Sequence, residues 1–323
     1  MKNIAIIAGG NSSEYEVSMK SGKNIYDEVD ENRYNKYLVI LKGRDWHVEI
    51  GEKKYPVDRN DFSFTRDGEK ILFDFAYITI HGVPGENGLL QGYLDMMGVP
   101  YGCCNVLASA LTFDKHTCNT YLKSYGVNVA DSVMLIRGMT YDVNEIINEV
   151  GLPCFVKPNA EGSSFGVTKV KEAAQLEDAL KKAFALCREV LIETFIDGTE
   201  LTCGVVKAGD MDIAMPIAEV IPKNEFFDFE AKYDPTKSDE IIPARISPEL
   251  TNRIKTLSSM ISDILRCEGI IRVDYIVRDD EIFMLEVNTT PGMTSNSFVP
   301  KMVRAMGGTL REVLTKIIDN KLN

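Results

Sequence analysis

The sequence of 323 residues has no run of apolar residues approaching the length of a membrane span. Its N-terminus, MKNIAIIAGG, is too short and too strand-like for a signal peptide. The net charge is −12, which lacks the excess of basic residues that nucleic acids or anionic membranes attract. The seven cysteines show no zinc-site spacing. We therefore expect a soluble cytoplasmic protein with free thiols and with neither nucleic acid nor membrane as a partner.

Two common nucleotide-binding motifs are also missing. An apolar strand over residues 3–8 enters Gly9-Gly10, and a helix is predicted from about Glu14, which is typical of a doubly wound α/β domain. The turn is not a dinucleotide fingerprint, because GxGxxG is absent. Further along, a strand ends at Lys157 and a Gly/Ser-rich loop follows, but GxxxxGK(S/T) is absent. Such a loop could close over phosphates, or it could be an ordinary β-turn.

The most informative stretch is residues 270–298, which predicts a β-hairpin. Two largely apolar strands flank Asp279-Asp280, which has turn chemistry. Arg272 and Asp274 share one face of the first strand, and Glu286 and Asn288 share one face of the second. A three-residue turn would place Asp274 opposite Glu286, whereas a two-residue turn would break that pairing.

Two carboxylates and an amide oxygen form a hard donor set with few protein ligands. Mg²⁺ (or Mn²⁺) suits such a set, because it keeps waters and takes its other ligands from nucleotide phosphates. Asp274, Glu286 and Asn288 are therefore the candidate metal ligands. The alternative is a hairpin whose polar face meets solvent.

Other candidate residues follow from position alone. Glu14 and His81 lie near the carboxyl ends of predicted parallel strands and are expected to share one crevice, where a carboxylate could hold an ammonium group. Glu14 could instead complement the helix dipole, and His81 could be an ordinary loop histidine. In the strand over residues 190–196, Glu193 could accept from an adenine amino group, with solvent exposure as the alternative. Phe195 and Ile196 could offer backbone contacts to the base, and Glu200 could bind ribose hydroxyls.

Several motifs together resemble one family. They are GGNSSEYEVSMKSG, HGVPGENGLLQGYLDMMGVPYG, SALTFDK, LIETFIDGTELT, FFDFEAKYD and RVD followed by LEVNTTPGMT. In this order they are similar to the signatures of the D-alanine–D-alanine ligases, members of the ATP-grasp group. The resemblance implies an α/β ATP-grasp fold. A doubly wound parallel-sheet domain over residues 1–104 would precede central (105–187) and C-terminal (188–323) α+β domains that sandwich ATP.

The resemblance also implies site residues. Glu14 would bind the amino group of the first D-alanine, with Ser18 and His81 nearby. The nucleotide phosphates would contact Lys115, Lys157, Lys232 and Ser163, and Tyr233 would orient substrate. Arg272 and the N–H of Gly292 would stabilise an oxyanion, and Ser297 and Phe298 would bind the second carboxylate. Asn87, Cys103-Cys104 and Thr194 depart from the family pattern, and Thr194 replaces a lysine of the adenine segment.

The implied activity is the ATP-dependent ligation of two D-alanines through a D-alanyl phosphate, which supplies a peptidoglycan precursor. The family also suggests a homodimer. Two alternatives remain: an ATP-grasp ligase that uses another amino or hydroxy acid, such as D-lactate, and a non-catalytic nucleotide-binding module.

Overall fold

The computed structural model describes residues 1–162, 166–222 and 238–322. The N-terminal part has the predicted parallel strands, which pair in the order β2-β1-β7. Helix α1 (Tyr15–Glu28) connects the first two and packs on them. The strands are β1 (Lys2–Gly9), β2 (Tyr34–Lys42) and β7 (Phe75–Ile78).

An antiparallel extension of this sheet was not predicted. It continues from β2 through four short strands, β3 (Asp45–Ile50), β4 (Lys53–Asp58), β5 (Ser63–Arg66) and β6 (Glu69–Leu72). Many of their side chains are charged and exposed, so the apolar periodicity that marks a strand is weak here. The first domain is therefore a mixed sheet with a parallel half.

Three helices lead from the N-terminal sheet towards the rest of the chain: α2 (Leu89–Met97), α3 (Val106–Phe113) and α4 (Lys115–Lys123). The sequence over residues 106–125 predicts a helix that is broken near Phe113-Asp114, and the structure confirms the break. Asp114 ends α3 and caps α4, because its Oδ1 accepts from the N–H of Thr117 at 2.8 Å. This break places Lys115 at the first position of α4.

The central sheet is antiparallel, in the order β10-β9-β11-β8. Its strands are β8 (Ser132–Ile136), β9 (Cys154–Pro158), β10 (Thr168–Val170) and β11 (Glu189–Thr194). Helices α5 (Val143–Val150) and α6 (Leu176–Leu186), with a short 3₁₀ turn at Ala173–Gln175, pack against one face. Strand β11 follows the boundary expected at residue 187, yet it pairs within this sheet. We therefore propose that the central domain extends through Thr194.

Among the described residues, the C-terminal sheet has the order β15-β14-β12-β16-β17, with β13 beside β12. The strands are β12 (Thr199–Ala208), β13 (Met211–Ala214), β14 (Ala218–Pro222), β15 (Ser238–Ile241), β16 (Gly269–Arg278) and β17 (Glu281–Asn288). The sequence predicts one strand over residues 213–221, which is wrong, because the structure has two strands there. The predicted strand is broken around Pro216, which lacks the N–H that a continuous ladder needs.

Helices α7 (Pro248–Ile264), α8 (Phe298–Ala305) and α9 (Leu310–Leu322) complete the C-terminal part. The spacing of the apolar residues over 250–265 predicts an apolar stripe on α7, which is confirmed, since Leu250, Ile254 and Ile261 are buried in the core. Ile4 and Ile6 of β1 share a second core with Leu314 and Ile317 of α9. This packing fixes the N-terminal sheet against the C-terminal helices. In the parts of the chain that the structure describes, no helix combines the length and apolar character of a membrane span.

Candidate active site

The hairpin β16–β17 has the predicted pairing but reaches it by a different route. Asp274 lies opposite Glu286, and Arg272 lies opposite Asn288. The turn has two residues, Asp279 and Asp280, with φ angles of 50° and 63°, rather than the three that this pairing was thought to require. A β-bulge restores the register, because the pairing advances from Tyr275–Met284 to Asp274–Glu286 and leaves Leu285 as the extra residue.

Around Asp274 the polar groups are closely connected. Arg272 Nε and Nη2 donate to its two carboxylate oxygens at 2.8 and 2.7 Å, a bidentate arrangement. Thr202 of β12 donates through its hydroxyl at 2.5 Å, and Asn288 donates through Nδ2 at 3.1 Å. Asp274 is only 8% exposed. Asp274 therefore does not face solvent, whereas Arg272, Glu286 and Asn288 on the same polar face are half-buried.

The donor set at this place fits a hard divalent cation. Asp274 and Glu286 are direct cross-strand partners, and the Asn288 amide bonds to the Asp274 carboxylate. The described residues include no group of three or more His, Cys, Asp and Glu side chains that could enclose an ion. Two carboxylates and one amide leave coordination positions for waters and phosphate oxygens, which is the arrangement that Mg²⁺ prefers.

A second polar group lies at the carboxyl ends of β1 and β7, where Ser12 bridges the backbones of Glu14 and His81. Ser12 Oγ donates to the carbonyl of His81 at 2.7 Å and accepts from the N–H of Glu14 at 3.2 Å. Both Glu14 and His81 are buried. Burial lowers the pKa of His81, while the charge of Glu14 and a bond to the backbone of Thr290 partly oppose that shift. The charge of Arg272 also lowers the pKa of His81, so the guanidinium of the hairpin lies within electrostatic range of this imidazole.

Ser18 contacts the end of β1. Its side chain is fully buried, and its Oγ accepts from the N–H of Gly9 at 2.9 Å. The first turn of α1 directs this hydroxyl back to β1, and the place beside the substrate that the resemblance implies for Ser18 stays a prediction. Ser18 thereby holds the Gly9-Gly10 turn in place.

Glu86 is an acidic residue of this site that the sequence analysis missed. Its Oε2 accepts from the N–H of Gly82 at 2.7 Å. Burial raises the pKa of Glu86 to about 8, and the nearby charges of Glu14 and Glu286 add to the rise, whereas Lys115 opposes it. The side chain thus lies within electrostatic range of groups from the N-terminal sheet, the hairpin and α4. Its only sequence signal is an acid inside the loop HGVPGENG.

The raised pKa of Glu86 predicts a pH-dependent stability. Between its usual value of 4.5 and about 8 the folded chain binds more protons than the unfolded chain, so this group lowers the free energy of unfolding as pH rises through that window. Glu86→Gln keeps an acceptor for Gly82 and removes the titration. We expect the melting temperature of the variant minus that of wild type to be more positive at pH 9 than at pH 6. Glu52→Gln, at an exposed site, is the control; a difference that does not grow with pH would contradict the assignment.

The start of the glycine-serine loop, residues 159–162, approaches both α4 and Glu14. Lys115 Nζ donates to the carbonyl of Glu161 at 2.6 Å, and the N–H of His116 donates to Asn159 Oδ1 at 2.9 Å. A methyl group at Gly162 would lie 2.5 Å from Glu14 Oε2, so a larger residue here would require the Glu14 carboxylate to shift. Asn159, which the sequence analysis missed, is fully buried and ties the base of the loop to α4. Ser163 lies outside the described residues, as do Lys232 and Tyr233.

The candidate nucleotide residues of the central sheet are also brought together. Lys157 Nζ and Glu193 Oε2 form an ion pair at 2.5 Å, and Asn119 Nδ2 donates to Glu193 Oε1 at 3.3 Å. Phe195 and Ile196 directly follow β11. Glu200 lies on β12, two residues before Thr202 and therefore on the same face as the polar hairpin residues. Glu193 and Glu200 thus lie on two different sheets.

The loop after β17 carries the remaining candidates. Ser297 Oγ accepts from the N–H of Thr294 at 3.1 Å, and a methyl group at Gly292 would lie 3.0 Å from this oxygen. The N–H of the neighbouring Met293 donates to Ser21 Oγ of α1 at 3.2 Å. Asn24 Nδ2 donates to the Met293 carbonyl at 2.8 Å, and the Arg272 guanidinium lies 5.7 Å from the ring centre of Phe298. The loop is therefore held against α1 by Ser21, which lies inside the motif GGNSSEYEVSMKSG, and by Asn24, which lies outside every quoted motif.

Comparison with known proteins identifies the family. Models of the D-ala D-ala ligase N-terminus and C-terminus match residues 3–104 and 121–319. The chain is 55% identical to the D-alanine–D-alanine ligase of Bacteroides fragilis strain YCH46 over 322 residues, 99% of each chain. Its structure is similar to that of the VanG D-Ala:D-Ser ligase from Enterococcus faecalis, with 33% identity, a TM-score of 0.87 and coverage of 99% of both chains.

A further similar structure is the D-alanine–D-alanine ligase from Bacillus anthracis complexed with ATP. It is 29% identical, with a TM-score of 0.80 and coverage of 100% of this chain and 98% of that one. The ATP-grasp fold expected from the resemblance is thereby confirmed. Since both family models and full-length relatives match, the chain belongs to the D-alanine–D-alanine ligase family.

Proposed function

We propose that this enzyme joins two D-alanine molecules at the expense of ATP, through a D-alanyl phosphate, and so supplies a peptidoglycan precursor. The observation that carries the proposal is the convergence on one place of the cross-strand pair Asp274–Glu286, the guanidinium of Arg272 and the crevice of Glu14 and His81. A non-catalytic binding module would need the residues that bind the nucleotide. It would not need a site for an amine close to the guanidinium of Arg272.

The first step is the activation of a carboxylate, which is a poor acyl donor at neutral pH. Glu14 would bind the ammonium group of the first D-alanine and so orient its carboxylate towards the γ-phosphate of ATP. Lys115 and Lys157, held at the glycine-serine loop and β9, would bind the phosphates. Transfer of the γ-phosphoryl group to the carboxylate oxygen yields ADP and an acyl phosphate with a good leaving group.

Asp274, Glu286 and Asn288 would hold Mg²⁺ or Mn²⁺ at this point. When bound, the ion would offset the charge of the phosphates and align them for transfer. The protein contributes a rigid site, because Asp274 is held by Arg272 and Thr202 before any ligand arrives. This preorganisation lowers the cost of ordering the site on binding.

In the second step the amine of another D-alanine attacks the acyl phosphate, and the tetrahedral intermediate expels phosphate. Arg272 and the N–H of Gly292 would stabilise the oxyanion of that intermediate. Ser297 and the backbone of Phe298 would bind the carboxylate of the second D-alanine. Phosphate binding by Ser163 and Lys232, and substrate orientation by Tyr233, complete the proposal on the basis of the resemblance alone. A cytoplasmic location and a homodimer are likewise expectations from the family.

Measurement of phosphate release tests the function directly. With Mg-ATP we expect release that depends on D-alanine and yields D-alanyl-D-alanine. D-serine and D-lactate, each supplied with D-alanine, test whether the second site binds substrates other than D-alanine. The similarity to a D-Ala:D-Ser ligase makes D-serine a specific alternative. ATP binding without any phosphate release in the presence of D-alanine would instead support a non-catalytic module.

A further inference from the structure

Helix α8 lies on the face of the C-terminal sheet that carries the polar hairpin residues. Gly204 of β12 is paired directly with Arg272 of β16, so a side chain at either position would project from the same side of the sheet. A methyl group at Gly204 would lie 3.2 Å from Sδ of Met302 on α8 and 2.7 Å from Sδ of Met215. Glycine at this position therefore lets the helix approach the strand closely.

Cross-strand pairing extends this face to β15. Glu200 of β12 is paired with Val220 of β14, and Val220 is paired with Glu240 of β15. Side chains alternate along a strand, so Glu200, Thr202 and Gly204 share one side of β12. Glu240 consequently projects from the same side of the sheet as the polar hairpin residues.

The ammonium group of Lys301 connects α8 to β15. Its Nζ donates to Oε2 of Glu240 at 2.7 Å, and the two side chains are 34% and 22% exposed. Lys301 also closes the first turn of the helix, because its N–H donates to the carbonyl of Ser297 at 3.2 Å. The ion pair therefore joins β15 to the turn of α8 that carries the proposed site for the carboxylate of the second D-alanine.

A second contact holds the same turn towards the hairpin. Phe298 precedes Lys301 by three residues, so both side chains lie on one side of the helix. The Phe298 ring centre lies 5.7 Å from the guanidinium of Arg272. Arg272 and Glu240 are on strands three spacings apart, which is roughly 14 Å. Apolar packing of α8 on the core is not directional, whereas two contacts so far apart restrict the rotation of this turn about the helix axis.

We propose that the Lys301–Glu240 ion pair is a positioning element for the second substrate. By restricting the rotation of α8, it keeps Ser297 Oγ and the N–H of Phe298 directed at the carboxylate of the second D-alanine. Neither Lys301 nor Glu240 contacts a substrate in this proposal. The inference rests on the proposed function, since it takes this turn as the site of the second carboxylate.

Phosphate release at saturating Mg-ATP, with D-alanine as the varied substrate, tests the proposal. A two-site rate law gives one half-saturating concentration for each D-alanine, and the value that Ser297→Ala raises belongs to the second site. Lys301→Met and Glu240→Gln should each raise this second-site value roughly three- to tenfold, the scale of one weakened hydrogen bond. The kcat and the KM for ATP should change much less, because the pair lies away from the reacting groups.

A double-mutant cycle distinguishes the pair from its two separate side chains. Lys301→Met combined with Glu240→Gln should raise the second-site value no further than either single change, because each single change already breaks the pair. The matched control is the exposed ion pair Lys181–Asp178 on α6. Lys181→Met and Asp178→Asn should leave both half-saturating concentrations at the wild-type values. All variants should melt close to wild type, because partly exposed ion pairs contribute little to stability.

Three results would overturn the inference. The first is a second-site value that is unchanged in both single variants. The second is a decrease of this value in Glu240→Gln, which would mean that Lys301 attracts the substrate carboxylate directly once its partner is removed. The third is a double variant whose effect is the product of the two single effects, as expected for independent side chains. An absence of D-alanine-dependent phosphate release by wild type would instead overturn the proposed function, and the inference with it.

Discussion

Replacement of Glu286 by glutamine is expected to lower kcat by roughly 10²–10³-fold or more, the scale on which a single group stabilising transition-state charge acts. Glutamine preserves the volume and one oxygen but removes the negative charge that a divalent cation requires. The loss should be large at this position, because Arg272 already offsets much of the charge of the other carboxylate, Asp274. Substitution at Glu286 also leaves the Arg272–Asp274 pair intact, so the chain should remain folded.

Phosphate release at saturating ATP and D-alanine, measured over a range of Mg²⁺ concentrations, checks this expectation. The variant should need more Mg²⁺ than wild type to reach its reduced maximum. Glu281→Gln provides the control, since Glu281 begins the same strand and is exposed. Turnover near the wild-type rate with an unchanged Mg²⁺ requirement would remove Glu286 from the proposed metal site.

The pairing of these two carboxylates could be predicted from the sequence, but the way it arises could not. Alternation along two apolar strands indicated that Arg272, Asp274, Glu286 and Asn288 share one polar face. The turn is one residue shorter than this pairing needs in a regular hairpin, and the extra residue at the bulge, Leu285, compensates for the difference. An apolar side chain at a bulge looks like any other strand residue, because the bulge depends on cross-strand geometry rather than on residue type.

Contacts between distant parts of the chain were the least accessible to sequence reasoning. The periodicity of α1 indicates a buried face, but it does not reveal that Ser21 and Asn24 hold the backbone of Met293. The membership of β11 in the central sheet depends in the same way on pairing with strands that precede it by tens of residues. Local patterns fix the elements, whereas partners at long range follow from the packing of the whole chain.

Glu86 was missed because its surroundings come from distant parts of the chain. A glutamate between glycines in a loop is usually exposed, whereas Glu86 is half-buried in the structure. In the structure, the close return of Glu86 to Gly82 brings the carboxylate near Glu14 and Glu286. The cluster of acids is therefore produced by the convergence of three parts of the chain.

Replacement of Arg272 by methionine is expected to lower kcat by roughly 10²–10³-fold with a much smaller change in the KM for ATP. The guanidinium is proposed to act on the oxyanion that develops only in the second step, so its loss should weaken the transition state more than the bound substrates. Arg272→Lys keeps the charge but cannot bond both oxygens of Asp274 as the planar fork does, so an intermediate loss is expected.

The control for Arg272 is Arg278→Met, at the exposed end of the same strand, where the guanidinium packs on Phe283. Thermal melting separates a catalytic loss from a structural one, because removal of Arg272 leaves the buried Asp274 carboxylate without its main counter-charge. Arg272→Lys, which retains that counter-charge, should melt closer to wild type while still turning over slowly. If both substitutions reduced kcat only in proportion to lost folded protein, Arg272 would be a support for Asp274 and the oxyanion would have to be stabilised by other groups.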